Sequence, residues 1–541
     1  MKVRFCFLTV VALMAIFFLT ACRDAVIPME TDTADPAQTT ATPTVITDTA
    51  DPAQATTTPA VSEETTEGSG REKTTTDNHV HAYTSWETVS APDCTHTGGA
   101  RRTCTICGNV QTKTTDALGH DYGGTLTCSR CGETRGDSVG LAFEKNTGGT
   151  YTLKGRGTCE DADIVIPATY QGIAVTEIGD FAFSGNGKPK NVSMTSVYIP
   201  DGVTRIGNEV FFNCRNLKSV RLPETLTYMG ASQFSYCDAL KEITLPESLT
   251  DVDVTAVNGV PRVNIKDFGQ IFKLRFSGTN IDAPGFFCGC QVYINGEHIT
   301  SVTIPANVQT VSRYIFSVTS AFKEIVVPPT VTRIEQYAFR GSTLQSLTVP
   351  FLGERATNQS NLGYFFAASD LYGNNEFTNC NGRWIPKSLK TLTFTGDVFP
   401  GVSGCTMLKK VILTSTALEE IKGGSSTNSN DKGAFEGCTA LTTVVLPEGL
   451  RVIGEWAFAQ CSALKTVNLP EGITSIGNYA FRNCEALKEI TFPHSLTSVG
   501  HGVFQNLYYS VTVTYRGTEE EWNALVPLDT AQYITVKYQP D

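Results

Sequence analysis

The chain has few of the side chains on which most enzymes depend. Only seven of its 541 residues are histidine, and four of those seven fall within residues 79–120. No G-x-S-x-G elbow, no G-x-x-x-x-G-K-[ST] phosphate loop and no H-E-x-x-H motif occurs in the sequence. These absences exclude the common hydrolase, nucleotide-binding and metalloprotease motifs, and we expect that the protein is not an enzyme.

Charge of either sign is also scarce. Charged residues make up 18% of the chain, and the formal net charge is −12. A nucleic-acid-binding protein would need a basic patch or stripe on its surface. The negative net charge therefore predicts no nucleic-acid partner. The length of the chain is sufficient for several domains.

Long apolar runs are confined to the N-terminus, where Phe5 to Phe18 follows a basic start. This run is too short for a transmembrane helix and has the length typical of a signal peptide. It ends in Leu-Thr-Ala-Cys, which resembles the lipobox of bacterial lipoproteins. The resemblance implies a signal peptide over residues 1–21 and lipidation of Cys22. The alternative is an ordinary secretory signal with a chance cysteine. We expect an extracytoplasmic protein that contacts the bacterial membrane through its lipid only.

Residues 22–78 contain the lipidated cysteine and a segment rich in Thr, Ala, Pro, Asp and Glu. The segment has no apolar periodicity and almost no aromatic residue. Such a composition cannot bury enough apolar surface to offset the entropy of ordering. We predict a disordered linker that lifts the rest of the chain from the membrane.

Cysteines then cluster in residues 79–137, where two CxxC pairs are separated by twenty residues and each pair is followed by glycine. This spacing is typical of a zinc ribbon, in which four thiolates surround one structural ion. The sequence therefore predicts a small zinc-ribbon-like module with one candidate set of ligands: Cys104, Cys107, Cys128 and Cys131.

A second division of the ligands is equally visible in this module. His81-Ala-Tyr precedes the first CxxC pair as His120-Asp-Tyr precedes the second, which suggests two tandem units. His79, His81, Cys94 and His120 are then alternative ligands of His/Cys sites. Disulfides are a third possibility, because paired cysteines are usual outside the membrane.

The remainder of the chain repeats itself. Glu448–Pro470 and Glu471–Pro493 are consecutive 23-residue copies with eleven identical positions. Each copy ends in an alternating segment, so that Ile490 and Phe492 are expected to face inward on a short strand. A period of this length with one short strand per unit is typical of a solenoid, in which each coil covers the apolar row of its neighbour. We predict about thirteen strands in a mostly β repeat solenoid.

The pattern L-x-x-I-x-L-P-x-x-L-x-x-I-G-x-x-A-F-x-x-C resembles the BspA-like leucine-rich repeat of bacterial surface proteins. The resemblance covers residues 141–515, and "VTYRGTEEEW" with Trp522 resembles the family's C-terminal cap, assigned to residues 516–541. It implies an α/β-type repeat solenoid with short parallel strands. Residues 185–194, 351–385 and 423–432 interrupt the frame, and the stretch from Asp251 to Gly296 matches it poorly.

Cysteines recur at one position of the repeat, nine residues before the next proline, as in Cys214, Cys237, Cys438 and Cys461. They are expected to be buried small hydrophobic residues. Disulfides between neighbouring coils are the alternative, because stacked coils place equivalent Cα atoms within bonding range.

Solenoids offer a binding surface formed by the outward residues of their strands. The resemblance implies adhesion to an extracellular protein or glycan, with a structural, self-associating envelope protein as the alternative and a secreted enzyme as a third. The expected cofactor is structural zinc alone. The predicted binding face comprises Ser219, Arg221, Glu242, Thr244, Thr466, Asn468, Glu489 and Thr491.

Overall fold

The structure is a computed structural model, and it describes residues 80–540 except 119, 121, 123–124, 278–285, 288, 318, 320, 367–376, 381–382 and 426–430. The predicted signal peptide, Cys22, the linker and His79 lie outside the described residues. The chain forms two compact units, with the boundary between Gly136 and Asp137. None of the helices in the described part has the length and apolarity that crossing a bilayer requires.

The smaller unit contains a three-stranded antiparallel sheet. Its second strand pairs with both others. The pairing of the second strand with the third is unbroken: Gly98 lies opposite Thr115 at one end, and Thr103 lies opposite Val110 at the other. The turn between those two strands contains the first CxxC pair. The three strands are β1 (Glu87–Ser90), β2 (Gly98–Thr103) and β3 (Val110–Thr115).

The larger unit is a solenoid, as predicted, in which each regular coil contributes a strand to a first row. Successive strands in this row run parallel and in register, so that Val444 lies beside Val467. One short strand, Glu297–His298, pairs antiparallel with the strand Gln291–Ile294. The first row comprises β6 (Asp163–Val165), β9 (Ser196–Tyr198), β11 (Ser219–Arg221), β13 (Glu242–Thr244), β15 (Arg262–Ile265), β17 (Gln291–Ile294), β18 (Glu297–His298), β19 (Ser301–Thr303), β21 (Glu324–Val326), β23 (Ser346–Val349), β28 (Thr391–Phe394), β29 (Lys410–Leu413), β31 (Thr443–Val445), β33 (Thr466–Val467), β35 (Glu489–Phe492), β37 (Val511–Tyr515) and β38 (Ile534–Tyr538).

The structure also has a second row of strands. With this row, the solenoid has more strands than the predicted number of about thirteen. The row forms from the x-x-I-G segment of the repeat, where Ile453 lies beside Ile476 in a parallel pair. The second row comprises β4 (Ala142–Lys145), β5 (Tyr151–Gly155), β7 (Thr169–Tyr170), β8 (Ile173–Ile178), β10 (Arg205–Ile206), β12 (Tyr228–Met229), β14 (Asp251–Asp253), β16 (Arg275–Ser277), β20 (Thr310–Val311), β22 (Arg333–Ile334), β30 (Glu420–Ile421), β32 (Val452–Ile453), β34 (Ser475–Ile476) and β36 (Ser498–Val499).

The core is a continuous stack of coils. Ile490 and Phe492 are buried on β35 as expected, whereas Glu489 is exposed and Thr491 is half-buried. The phenylalanine of each "AF" pair packs on its equivalent in the next coil, with ring centroids 5.2 Å apart for Phe458 and Phe481. No coil could bury this column alone, because its partners belong to the adjacent coils.

Glycine at the seventh repeat position is required by close approach rather than by a bend. Gly477 occupies this position in the copy Glu471–Pro493. In the structure a Cβ at this position would lie 2.5 Å from the amide nitrogen of Glu455, one coil earlier. The Gly477 amide donates to the Ile453 carbonyl at 2.8 Å. The glycine therefore lets two backbones come together.

The irregular segments are added at the margins of the coils. Residues 251–296 match the repeat poorly, yet β14 to β17 keep the parallel pairing of both rows. Residues 426–430 of the 423–432 insertion lie outside the described residues. The added elements are α1 (Pro189–Val192), the antiparallel pairs β24 (Gly353–Arg355) with β25 (Asn358–Gln359) and β26 (Phe377–Cys380) with β27 (Arg383–Pro386), and the 3-10 helices Phe268–Lys273 and Leu362–Phe365.

The C-terminal segment covers the last coil. The Thr518 hydroxyl and the Glu521 carboxylate form a reciprocal capping box at the start of a helix, α2 (Glu519–Leu525). Trp522 on this helix is 3% exposed and packs on Tyr515, with centroids 5.3 Å apart. A short helix, α3 (Leu528–Ala531), then leads to β38, which pairs in parallel with β37.

Candidate metal centre and binding face

The two CxxC turns of the smaller unit have the same backbone geometry. The Cys104 amide donates to the Asn109 carbonyl at 2.7 Å, and the Cys128 amide donates to the Glu133 carbonyl at 2.8 Å. Each turn closes through a glycine with a left-handed φ that other residues rarely adopt. These glycines are Gly108, at 72°, and Gly132, at 74°.

The structure gathers one set of four candidate ligands around the second turn. Cys94, His120, Cys128 and Cys131 each offer a ligand atom within 4.8 Å of the others. The Cys94 and Cys128 sulfurs are 3.7 Å apart, and the Cys131 sulfur is 3.3 Å from His120 Nδ1. A tetrahedral zinc ion with ordinary bond lengths would place two sulfurs about 3.8 Å apart and a sulfur and a nitrogen about 3.5 Å apart. The four residues therefore fit a zinc ion.

A carboxylate supports the histidine of this set. His120 Nε2 lies 3.2 Å from Glu133 Oε2, on the ring edge opposite the thiols. Such a contact fixes the tautomer and orientation of a ligating imidazole. Glu133 therefore leaves Nδ1 of His120 as the nitrogen available to an ion.

The first turn gathers a smaller set of three residues. His81, Cys104 and Cys107 have ligand atoms within 4.8 Å of one another. The Cys107 sulfur is 3.3 Å from His81 Nδ1, the same separation as in the second set. Cys104 is buried, whereas His81 and Cys107 are exposed.

The four CxxC cysteines do not converge on one point. The side chains instead form two groups, because each CxxC turn lies beside its own histidine. Cys94, left over in the ribbon prediction, joins Cys128 and Cys131. This arrangement is the tandem division that the two H-x-Y segments suggested. Binding of an ion to either group stays a prediction.

Within the second group, the thiol of Cys94 resists ionisation. Burial, followed by the neighbouring thiols of Cys131 and Cys128, raises the pKa of Cys94 to about 12. Thiolates crowded together without a cation repel one another. A dication would reverse this effect, because it stabilises the thiolate form.

The predicted binding face lies on the first row of strands, on the side away from the core. Along β13 the order is exposed, buried, exposed, so that Glu242 and Thr244 point to solvent while Ile243 is in the core. All eight predicted residues are exposed or half-buried. They are Ser219, Arg221, Glu242, Thr244, Thr466, Asn468, Glu489 and Thr491.

Arg221 is held in place at the N-terminal part of this face. Its guanidinium lies 5.1 Å from the ring centroid of Tyr198, its partner in register on β9. It also donates to the Ile199 carbonyl at 2.7 Å and to Asp201 at 3.0 Å. The bond from Arg221 lowers the pKa of Asp201. An arginine restrained in this way loses little side-chain entropy when it binds a partner.

Four residues that were not predicted from the sequence complete this part of the face. The Arg262 guanidinium lies 3.8 Å from the centroid of the Tyr293 ring, and its Nε is 3.2 Å from Glu242. Asn264 links to the same carboxylate at 3.2 Å. Tyr198, adjacent to Arg221, was also missed. We call Arg221, Tyr198, Arg262, Asn264 and Tyr293 the arginine–tyrosine patch. Arg262 and Tyr293 were not predicted because they lie in the stretch from Asp251 to Gly296, which matches the repeat poorly.

Coils with paired rows of short parallel strands and a stacked phenylalanine core define a leucine-rich-repeat solenoid. A family model described as BspA type leucine rich repeat region matches six copies, at residues 176–282, 288–385 and 406–522, which is more than half of the chain. The chain therefore belongs to this family. The comparison with curated proteins gives no match.

Several solved structures resemble the chain. A leucine-rich repeat protein from Bacteroides ovatus is 22% identical, with 75% of this chain and 99% of that chain covered and a TM-score of 0.40. A leucine rich cell surface protein from Faecalibacterium prausnitzii is 24% identical, with coverages of 73% and 97% and a TM-score of 0.26. A leucine-rich repeat protein from Eubacterium ventriosum is 20% identical, with coverages of 69% and 94% and a TM-score of 0.28. The family assignment rests on the matched repeats alone.

Proposed function

We propose that the protein is a non-catalytic cell-surface protein whose solenoid binds an extracellular protein or glycan. In this account Cys22 carries a lipid that anchors the chain to the bacterial membrane, and residues 22–78 extend the solenoid away from it. The lipobox-like N-terminus, the linker composition and membership of a repeat family support the proposal.

The arginine–tyrosine patch is the observation on which the proposal depends most. Arginine and tyrosine are enriched among the residues that dominate binding energy at interfaces. Here Arg221 and Arg262 lie flat on tyrosine rings and keep part of their donor groups at the surface. A solenoid that served only as a spacer would have no need of such a prearranged group on one face.

Binding of an outside ligand and self-association make different predictions. A spacer or envelope protein would associate with further copies of itself, whereas a binding protein would remain monomeric and capture a foreign molecule. A secreted enzyme would instead modify its ligand, and deletion of the 351–385 insertion would abolish that activity.

The test uses the full chain without its first 22 residues. It is applied to immobilised extracellular-matrix proteins and to a glycan array, with the same chain unfolded by heat as the control for nonspecific adhesion. Sedimentation velocity gives the oligomeric state in the same buffer. The proposal expects a monomer that is captured in the folded form only. Concentration-dependent oligomers without capture on either panel would contradict it and favour the structural alternative.

A further inference from the structure

The smaller unit contains the same side-chain arrangement twice. His81 stacks on Tyr83 with ring centroids 5.5 Å apart, and His120 stacks on Tyr122 at 5.6 Å, both at 29° between planes. An arginine covers each tyrosine, Arg102 at 4.7 Å in the first copy. Arg135 covers Tyr122 at 4.2 Å in the second. In both copies the histidine Nδ1 is 3.3 Å from the second cysteine of the CxxC pair.

The sulfur separation distinguishes metal ligands from a disulfide. The Cys94 and Cys128 sulfurs are 3.7 Å apart, whereas a disulfide bond requires about 2.05 Å. The observed value is close to the edge of a zinc-centred tetrahedron, about 3.8 Å. In addition, His120 and its Glu133 carboxylate contribute a supported nitrogen ligand that a disulfide would not use.

The two copies differ in their number of ligands. The second copy receives its fourth ligand, Cys94, from the segment between β1 and β2, which belongs to the first copy. An equivalent cysteine for the first copy would have to precede His81. The sequence contains no cysteine between Cys22 and Cys94. Among residues 80–136 that the structure describes, the first group therefore comprises His81, Cys104 and Cys107, one ligand fewer than the second.

We propose that this unit holds two zinc ions in separate sites of unequal strength. The closed site consists of Cys94, His120, Cys128 and Cys131, with four protein ligands and the support of Glu133. The open site consists of His81, Cys104 and Cys107, and its ion keeps a coordination position for water. The ion of the closed site is structural, and the ion of the open site exchanges more readily.

The closed site is expected to account for much of the stability of the unit. Residues 80–136 have few buried apolar side chains in the structure, among them Cys94, Cys104 and Cys128. A segment with so few buried apolar side chains needs a disulfide or a bound metal ion in order to fold. Zinc would stabilise the unit in this way, because a site that forms only in the folded state adds the free energy of metal binding to the free energy of folding.

The first experiment is native mass spectrometry of the full chain without its first 22 residues, purified with zinc and without chelator. The proposal expects two zinc ions per chain. Titration with a chromophoric chelator should release one ion early and the other late. One ion per chain would overturn the proposal, because the first group would then hold no ion of its own. A metal-free mass that is lower by two daltons per cysteine pair would overturn it in favour of disulfides.

Single substitutions assign the ions to the two sites. Cys107→Ser should remove the early ion and leave the late one, and Cys131→Ser should remove the late ion. Loss of both ions from Cys107→Ser, with the solenoid still folded by circular dichroism, would contradict two independent sites.

A milder pair of variants keeps every ligand and avoids misfolding. Glu133→Gln should weaken the closed site by about 10- to 100-fold, the usual effect of losing a carboxylate that orients a ligating histidine. Asn109→Ala changes the equivalent position of the first turn and is the matched control, expected to alter neither ion. Equal zinc affinity in wild type and Glu133→Gln would show that Glu133 supports no metal site.

Discussion

The Cys461 thiol donates a hydrogen bond to the Phe435 carbonyl, one coil earlier, with sulfur and oxygen 3.1 Å apart. The same bond recurs along the solenoid, from Cys484 to Phe458 and from Cys237 to Phe211. These thiols are buried, and none of the three is in a disulfide. The repeated cysteine thus links each coil to the previous one through its thiol, in agreement with the buried-thiol interpretation of the sequence.

Replacing one of these thiols should weaken the stack. Cys461→Ala removes a buried hydrogen bond and leaves a small cavity, so we expect a loss of about 1–3 kcal/mol in the free energy of unfolding. The control is Thr466→Ala, on the exposed side of β33, which should change stability by less than about 0.5 kcal/mol. Urea unfolding followed by circular dichroism measures both. Equal stability of the two variants would show that the thiol bond contributes nothing.

Ser342 occupies the cysteine position in its own coil, and its hydroxyl is buried without a hydrogen-bond partner among the described atoms. Burying a thiol without a hydrogen-bond partner costs less free energy than burying a hydroxyl without one. We therefore expect Ser342→Cys to raise the free energy of unfolding by about 1 kcal/mol. A destabilised variant in the same urea assay would indicate that the coil cannot accommodate sulfur there.

Alkaline conditions should destabilise the solenoid through the buried thiols. Burial raises the pKa of Cys484 from 9.0 to about 12. Its stabilising effect is complete below pH 9 and declines above it, because the unfolded chain ionises there while the folded chain does not. At pH 10 the loss is about 1 kcal/mol per thiol. Urea midpoints at pH 8 and pH 10 test this, and the decline should be smaller in Cys484→Ala. An identical decline in that variant would assign it to other groups.

The cap should protect the end of the stack. Trp522 is buried against Tyr515 and Phe492, so Trp522→Ala should cost about 3–5 kcal/mol. In a repeat protein the damage is local, and hydrogen exchange should rise first in β35, β37 and β38 and remain unchanged in β9 and β11. Leu528→Ala is the control, since Leu528 is 90% exposed. A uniform rise in exchange would contradict a local cap.

Anchoring depends on one residue. Replacement of Cys22 by serine should move the protein from the membrane fraction to the soluble secreted fraction, because two or more acyl chains are needed for stable attachment. Radiolabelled palmitate should enter the wild type only. Continued membrane association of the unlabelled variant would point to retention by another part of the chain.

The coil itself was predictable because the apolar positions of the 23-residue repeat indicate which side chains face inward. Ile490 and Phe492, for example, face inward in the structure. The second row of strands was not predictable, since a two-residue strand such as Ser475–Ile476 has no alternation to detect. Likewise, the spacing of the CxxC pairs permits one site or two. Only the folded chain shows that His81 and His120 each approach a different pair.

If the solenoid binds its ligand through the arginine–tyrosine patch, removal of the two arginines of the patch should weaken binding. Biolayer interferometry would compare wild type with Arg221→Ala/Arg262→Ala on a ligand captured from the matrix or glycan panel. The control is Arg205→Ala/Arg275→Ala, which removes the same charge from the second row, where Arg205 lies 3.8 Å from the Tyr228 ring centroid. The account predicts a Kd at least about tenfold weaker for the first pair alone, the effect of losing about 1.4 kcal/mol. Equal affinity of both variants and wild type would contradict it.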